Sequence, residues 1–170
     1  MPKPTTADYP EYFEIYISQV EEDDLGEAFK NQFSKIIAFL GSIDEAKGGY
    51  AYAPGKWTLK ELLQHIIDAE RIFDYRALCF ARNETISLPS FDEKLYADNS
   101  NANRRSWESL SNEFINVRRS TEDLYKNFSD KILQQTGIAN NNKTSVLSMG
   151  FITVGHVTHH IKVIKERYIG

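Results

Sequence analysis

The sequence predicts an all-α protein: a four-helix bundle with an additional short N-terminal helix. Four long stretches carry apolar residues at steps of three and four, which places those residues on one face of a helix. The chain lacks the sustained apolar and polar alternation typical of strands, and it lacks a repeat of fixed period. With 170 residues and 41% hydrophobic content, residues 1–170 are expected to form a single domain around one core.

The N-terminal helix is predicted over residues 9–20, where aromatic and aliphatic side chains recur at helical spacing. We expect it to lie over the bundle as a lid or brace. The first bundle helix follows Asp24, which stands three residues before Glu27 as an N-cap stands before a first-turn carboxylate. Its apolar residues continue until a predicted end near Gly41.

The second bundle helix has the best-marked start in the chain. It follows a glycine- and proline-containing loop at residues 42–56, and residues 58–61 read Thr-Leu-Lys-Glu, the spacing of a capping box. Trp57 precedes the cap, where it is expected to pack against Leu62 as a hydrophobic staple. The apolar face then continues to about Arg82.

The third and fourth bundle helices are separated by a predicted loop. A polar loop at residues 83–101 leads to a third helix whose apolar positions alternate steps of three and four from Trp107 to Phe128. Residues 129–143 contain a glycine and a run of asparagines, which predicts a second loop. Thr144 or Ser145 then caps a last helix that runs to the C-terminus. Both loops are long enough for a crossover, so the spatial order of the helices stays open.

Charge and cysteine content exclude several classes of function. The chain has 20 Lys and Arg against 24 Asp and Glu, a net charge of −4, so it lacks the basic excess that nucleic acids or anionic membranes require. The single cysteine, Cys79, cannot form an intramolecular disulfide, which favours a reducing, cytoplasmic location. Neither a signal peptide nor an apolar run of about 18 residues is present, so we expect a soluble protein.

The four histidines fall on only two predicted helices, which is the main functional signal. His65 lies on the second helix, and His156, His159 and His160 lie on the fourth. His156 and His160 are four residues apart, so their imidazoles project from one face, the same face that carries the apolar stripe. Inward-facing histidines from two helices are typical of metal sites in bundle cores.

The pattern favours a mononuclear site. Val157 follows His156, so the His-Glu-x-x-His motif of zinc proteases is absent, and no histidine has a Glu three residues before it, as a two-metal bundle site requires. The remaining interpretation is an ion held by three neutral imidazoles with open positions for water or substrate. The alternative is that the histidines are ordinary core residues. His159 points to the flank of the stripe, as a helper or a spectator.

Two carboxylates on the second helix are candidates for supporting roles. Glu70 falls in the middle of the apolar face, where a carboxylate requires a partner, so we expect it near the metal or in a buried network. An ion pair with an arginine is the alternative. Asp68 is one turn from His65, where it can orient the ring, although a solvated carboxylate also explains its position.

Three segments together resemble the DinB/YfiT-like superfamily. Residues 57–71 read Trp-Thr-Leu-Lys-Glu-Leu-Leu-Gln-His-Ile-Ile-Asp-Ala-Glu-Arg, residues 75–78 read Tyr-Arg-Ala-Leu, and residues 155–160 read Gly-His-Val-Thr-His-His, with Glu-Arg-Tyr at 166–168. The resemblance spans residues 24–169. Members are four-helix bundles, often homodimers, that hold a divalent metal through one His on the second helix and a His-x-x-x-His pair on the fourth. By position, the resemblance implies His65, His156 and His160 as metal ligands.

The resemblance also implies a class of activity. Characterised relatives include thiol-dependent transferases and isomerases, and some members are described as metal-dependent hydrolases. It therefore implies a metal-dependent enzyme with Zn²⁺, Ni²⁺ or a similar ion, which transfers a low-molecular-weight thiol or hydrolyses a small substrate. It further implies a homodimer as the assembly. A non-catalytic metal-binding or interaction bundle is the alternative.

Overall fold

The computed structural model describes residues 1–169, in which helices predominate. The long helices are α2 (Leu25–Gly41), α4 (Leu59–Ala81), α6 (Trp107–Lys126) and α8 (Val146–Arg167). The short ones are α1 (Glu14–Ile17), α3 (Glu45–Gly48), α5 (Glu93–Asn99) and α7 (Asp130–Leu133), with single turns of tighter helix at Glu11–Phe13 and Ala102–Arg104. Two short strands, β1 (Thr136–Ala139) and β2 (Asn142–Ser145), precede α8.

The four long helices pack as a bundle in which α2 lies diagonally opposite α4, and α6 lies diagonally opposite α8. Helices α2 and α4 both pack against α6 and α8. Helix α6 runs antiparallel to α2 and parallel to α4, and α8 runs antiparallel to α4, so the order is up-down-down-up. Contacts of Phe29 with Tyr125 and of Leu40 with Trp107 set the direction of α6 relative to α2. Contacts of Glu70 with Arg118 and of Asp74 with Thr121 set it relative to α4. Contacts of His65 with His160 and of Phe73 with His156 set the direction of α8 relative to α4.

The loop between α4 and α6 is long because these two helices are parallel. A parallel neighbour requires the chain to return along the whole length of the bundle before the next helix starts. Residues 82–106 make this return, and α5 lies within them and packs on α4. The sequence predicted the loop and its room for a crossover, and the structure supplies the crossover.

The predicted helix starts are confirmed by their caps. The Asp24 side chain accepts a backbone N–H bond at the start of α2. At the start of α4, the Thr58 hydroxyl accepts from the Glu61 backbone N–H at 3.1 Å, and the Glu61 carboxylate accepts from the Thr58 backbone N–H at 2.8 Å. Of the two candidate caps for α8, Ser145 is the one used, and it accepts from the Ser148 backbone N–H at 3.0 Å.

The N-terminal helix is shorter than predicted. Instead of one helix over residues 9–20, a single tight turn at Glu11–Phe13 leads into one turn of α-helix, α1. The segment still covers the bundle as expected, since Phe13, Ile17 and Val20 are buried and α1 packs on α8. The two approach closely at Gly155, where an added Cβ would lie 2.2 Å from the Tyr16 carbonyl oxygen.

The prediction of an unstructured loop over residues 129–143 was wrong in part. Helix α7 is followed by an antiparallel β1–β2 hairpin. Its turn uses Asn140 (φ 50°) and Asn141 (φ 60°), and asparagine tolerates the left-handed conformation that tight hairpin turns require. Gly137 packs so closely on the Phe80 ring that a Cβ would overlap it, at 1.8 Å from Cδ1. Strands of four residues are too short to produce a clear alternation.

The apolar core forms two clusters, and polar groups lie where they meet. Along α4 the change from one cluster to the other falls between Ile67 and Ala69, and along α8 between Val154 and Val157. The buried polar residue His156 lies within that second interval. Among residues 1–169, no helix has the length and apolar character to cross a lipid bilayer.

Candidate metal centre

Three histidines converge in the core of the bundle. His65 projects from α4, and His156 and His160 project from α8, one turn apart. The Nε2 atom of His156 lies 3.2 Å from Nε2 of His65 and 3.1 Å from Nε2 of His160. His65 and His156 are 5% and 4% exposed. The three side chains form a group that could hold a metal ion, since their ligand atoms lie within 4.8 Å of one another.

Burial keeps these imidazoles neutral. It lowers the pKa of His65 to about 4 and that of His160 to about 3. The pKa of His156 falls well below its usual value because of burial first, and then because of the neighbouring histidines. Neutral imidazole is the form that offers a lone pair to a metal. All three side chains are therefore in the ligating form at neutral pH.

Hydrogen bonds between the imidazole rings do not explain why three Nε2 atoms lie so close together. A neutral imidazole has one N–H, and Nε2 of His156 faces two other Nε2 atoms, so its single N–H or single lone pair can satisfy only one of them well. A divalent cation such as Zn²⁺ accepts lone pairs from several imidazoles at once. The donor set therefore fits a divalent ion better than it fits a packed core.

Aromatic side chains surround the three rings. The Trp57 ring stacks at 4.9 Å on His65, the Phe73 ring meets His156 edge-on at 5.5 Å, and the Tyr16 ring meets His156 edge-on at 5.2 Å. Such contacts hold the imidazoles in one orientation. Trp57 is half-buried and packs against the apolar cluster that contains Leu62, its predicted staple partner, and it also stacks on His65.

Two predicted helpers lie outside the group. His159 is partly exposed, its Nδ1 lies 3.2 Å from Nε2 of Gln19, and burial lowers its pKa. Asp68 accepts a hydrogen bond from Gln64 at 2.9 Å rather than one from His65. His159 flanks the group, as expected for a helper or a spectator. Asp68 is partly buried and bonded to Gln64, so it neither orients His65 nor is a fully solvated carboxylate.

The model of the DinB superfamily matches residues 28–164. The chain belongs to the DinB superfamily. It is similar to the solved structure of YfiT from Bacillus subtilis, described as a probable metal-dependent hydrolase with an unusual four-helix bundle topology: 16% identity, TM-score 0.68, covering 96% of this chain and 90% of that chain. The predicted family and the predicted four-helix bundle of the DinB/YfiT type are confirmed.

A second solved structure is a mycothiol-dependent maleylpyruvate isomerase. The likeness has a TM-score of 0.67 at 10% identity, and it covers 85% of this chain and 59% of that one. At this identity the likeness shows a shared fold. A comparison with curated proteins found no match.

Glu70 anchors a buried network in this DinB superfamily member. Its carboxylate, 1% exposed, accepts two bonds from Arg118, at 2.7 and 2.8 Å. Arg118 also donates to Gln32 on α2, and Gln32 donates to the Val154 carbonyl on α8. All four long helices are thus joined by one chain of polar contacts. The two roles predicted for Glu70, membership of a buried network and an ion pair with an arginine, are therefore both met by the same contacts with Arg118.

Asp74 extends this network with a shared proton. The Thr121 hydroxyl lies 2.8 Å from Oε1 of Glu70 and 2.6 Å from Oδ2 of Asp74, and it has only one hydrogen to donate. Burial raises the pKa of Asp74 to about 7. A protonated Asp74 donates to Thr121, and Thr121 then donates to Glu70. This order satisfies both contacts.

Asp74→Asn is expected to stabilise the protein more at pH 8 than at pH 5. The folded-state pKa of Asp74 lies above the unfolded value, so its ionisation costs stability increasingly as the pH rises from about 4 to 7. The amide does not ionise, so we expect about 2–3 kcal/mol more gain at pH 8, since the folded-state pKa lies about two units above pH 5. Urea unfolding of both proteins at the two pH values measures the difference. Asp123→Asn, an exposed change on α6, serves as the control. An equal effect at both pH values would contradict the assignment.

Two cavities reach the histidine group. One, of about 240 Å³, contacts His65 and His156 and is bounded by the N-terminal segment and the start of α5. The other, of about 420 Å³, contacts His160 and includes Trp57. Small molecules therefore have two routes to the three rings.

Proposed function

We propose that this protein is a metal-dependent enzyme with a mononuclear site, in which His65, His156 and His160 hold a Zn²⁺, Ni²⁺ or similar divalent ion. The proposed reaction is transfer of a low-molecular-weight thiol to a small electrophile, or hydrolysis of a small substrate. The observation that carries the proposal is the convergence of three neutral imidazoles on one point, with Nε2 separations of 3.1 and 3.2 Å.

The chemistry follows from the ion and its surroundings. A divalent ion held by three imidazoles supplies a Lewis acid that lowers the pKa of a thiol or water and thereby provides a nucleophile at neutral pH. The chain supplies the orientation, since the rings of Trp57, Phe73 and Tyr16 fix the imidazoles.

The relatives support a small-molecule substrate. YfiT is described as a probable metal-dependent hydrolase, and the second structure is a mycothiol-dependent isomerase, of which this chain spans 59%. The two cavities, of about 240 and 420 Å³, are of a size to admit such a substrate. We further propose a single-domain homodimer in the cytoplasm, without nucleic acid or membrane partners.

Metal analysis followed by an activity screen tests the proposal. We expect protein purified without an affinity tag to carry a divalent transition metal in a mononuclear site. Thiol transfer or hydrolysis should disappear with a chelator and return with Zn²⁺, Ni²⁺, Co²⁺ or Mn²⁺.

The outcomes separate the three interpretations. Activity that survives complete metal removal would reject the mechanism. Bound metal without turnover across the thiol and electrophile screen would favour a non-catalytic metal-binding bundle. Absence of metal, and failure to take it up, would leave the histidines as core residues.

A further inference from the structure

Arg76 is a buried cation without a carboxylate partner. It lies on α4, is 7% exposed, and donates one hydrogen bond, from Nη2 to the Pro89 carbonyl at 2.9 Å. Its guanidinium also lies 6.0 Å from the centre of the Phe91 ring. No salt bridge to Arg76 occurs within residues 1–169, whereas Arg118, which is also buried, pairs with Glu70.

The free N–H groups of Arg76 face the cavity that it lines, since none of its nitrogen atoms is among the buried side-chain atoms without a hydrogen-bond partner. Arginine stays protonated in proteins, although burial lowers the pKa of Arg76. A buried charge is destabilising unless an opposite charge and hydrogen bonds compensate it. The guanidinium has several N–H groups, and the Pro89 carbonyl uses one of them. The remaining N–H groups are suited to an oxyanion, which arginine binds through two parallel hydrogen bonds.

Arg76 lines the cavity of about 240 Å³ that contacts His65 and His156. The other walls are mostly aromatic, and Glu93, an exposed residue at the start of α5, completes the charged lining. The aromatic residues of the lining are Tyr12, Phe13, Tyr16, Phe73 and Phe91. Such walls accommodate a flat, apolar body. In the metal-free protein, one cation and one carboxylate on the same lining favour a monoanion over a dianion.

We infer that this cavity binds a small organic carboxylate, with Arg76 as the anchor for the carboxylate and the aromatic walls around the apolar body. The inference rests on the proposed function in taking the cavity as the substrate site of the metal centre. It adds the substrate class: a small monocarboxylic acid whose apolar part lies beside His65 and His156.

Calorimetric titration of the full-length protein, as purified and after chelation, tests the inference. The probes are benzoate, its neutral analogue benzamide, and phenyl phosphate, which is mainly a dianion at pH 8. We expect benzoate to bind at least about tenfold more tightly than benzamide, because a hydrogen bond to a charged group contributes more than a neutral one. Phenyl phosphate should bind more weakly than benzoate.

Substitutions of charged residues assign the difference to Arg76. Arg76→Gln should remove the preference for benzoate, and Arg76→Lys should keep part of it, because lysine retains the charge and loses the two-pronged geometry. Arg82→Gln, at an exposed arginine just after α4, should change nothing. Glu93→Gln should tighten benzoate binding. If Arg76→Gln does not unfold cooperatively, Arg76→Lys and Glu93→Gln still decide the question.

Three results would overturn the inference. The first is equal affinity for benzoate and benzamide, and the second is an affinity for benzoate that the Arg76 substitutions do not change. The third is Arg76-dependent binding that is tighter for phenyl phosphate than for benzoate, which would indicate a phosphate ester as the ligand. The chelated protein separates the two proposals. Arg76-dependent benzoate binding in protein that never takes up metal would support the anion site and reject the metal enzyme. Stoichiometric metal without Arg76-dependent benzoate binding would support the metal site and reject the anion site.

Discussion

Replacing His65, His156 or His160 with alanine is expected to lower metal affinity by more than about 100-fold, since loss of even an outer-shell partner typically costs about 10–100-fold. Each change removes one of three imidazoles and leaves two, which hold a mononuclear ion poorly. His159→Ala is expected to retain metal. Metal content after dialysis, and affinity by competition with a chelator, measure the effect.

His159 is a demanding control because it is adjacent to His160. The two positions differ by about 100° around the helix, and only His160 is in register with His156. The structure agrees with this, since Nδ1 of His159 lies 3.2 Å from Gln19 and its ring is outside the three-histidine group. Loss of metal in His159→Ala but not in His160→Ala would mean that the fourth helix is rotated. Unchanged metal in all four variants would mean that the site does not exist.

The elements that the sequence predicted well are those defined by local chemistry. The capping box at residues 58–61 and the cap at Asp24 are formed by side chains within three residues of the backbone groups they satisfy. Helix faces follow from periodicity in the same way. The convergence of His156 with His160 is also local, because both project from one face of a single helix. Their meeting with His65 is a contact between two helices, which the inward faces of both helices predicted and the structure shows.

The order of the helices in space was beyond these signals. Amphipathicity shows which face of a helix is buried, but not which other helix covers it. The parallel arrangement of α4 and α6 depends on contacts such as Asp74 with Thr121, which join residues far apart in the chain. The β1–β2 hairpin was missed for a different reason, since asparagines at its turn are equally common in irregular loops.

The sequence left the arginine partner of Glu70 open among Arg71, Arg76, Arg118 and Arg119, and the structure selects Arg118. Arg118 lies four residues after Phe114 and three before Thr121, so it is on the apolar face of α6, and that spacing was a usable signal. Arg76 shares the buried side of α4. Arginines on amphipathic helices are usually solvated, so only a structure distinguishes a paired buried guanidinium from an unpaired one.

Glu70→Ala is expected to destabilise the protein by about 3–5 kcal/mol, the second large effect. Removing one partner of a buried ion pair leaves the other charge uncompensated, which costs far more than losing an exposed pair. Here the remaining charge is Arg118, which is 0% exposed. The free energy of unfolding in urea at pH 7 measures the loss.

Glu113→Ala is the matched control on the same pair of helices. Glu113 joins α6 to Arg71 of α4 and also pairs with Arg105. Both arginines are partly exposed, so its removal should cost no more than about 2 kcal/mol. The double variant Glu70→Ala with Arg118→Met removes both buried charges and should recover part of the stability, because no unpaired guanidinium remains. A double variant less stable than Glu70→Ala would show that the network contributes more as a tie between the four helices than it costs in burying charge. Equal losses in Glu70→Ala and Glu113→Ala would contradict the buried pair altogether.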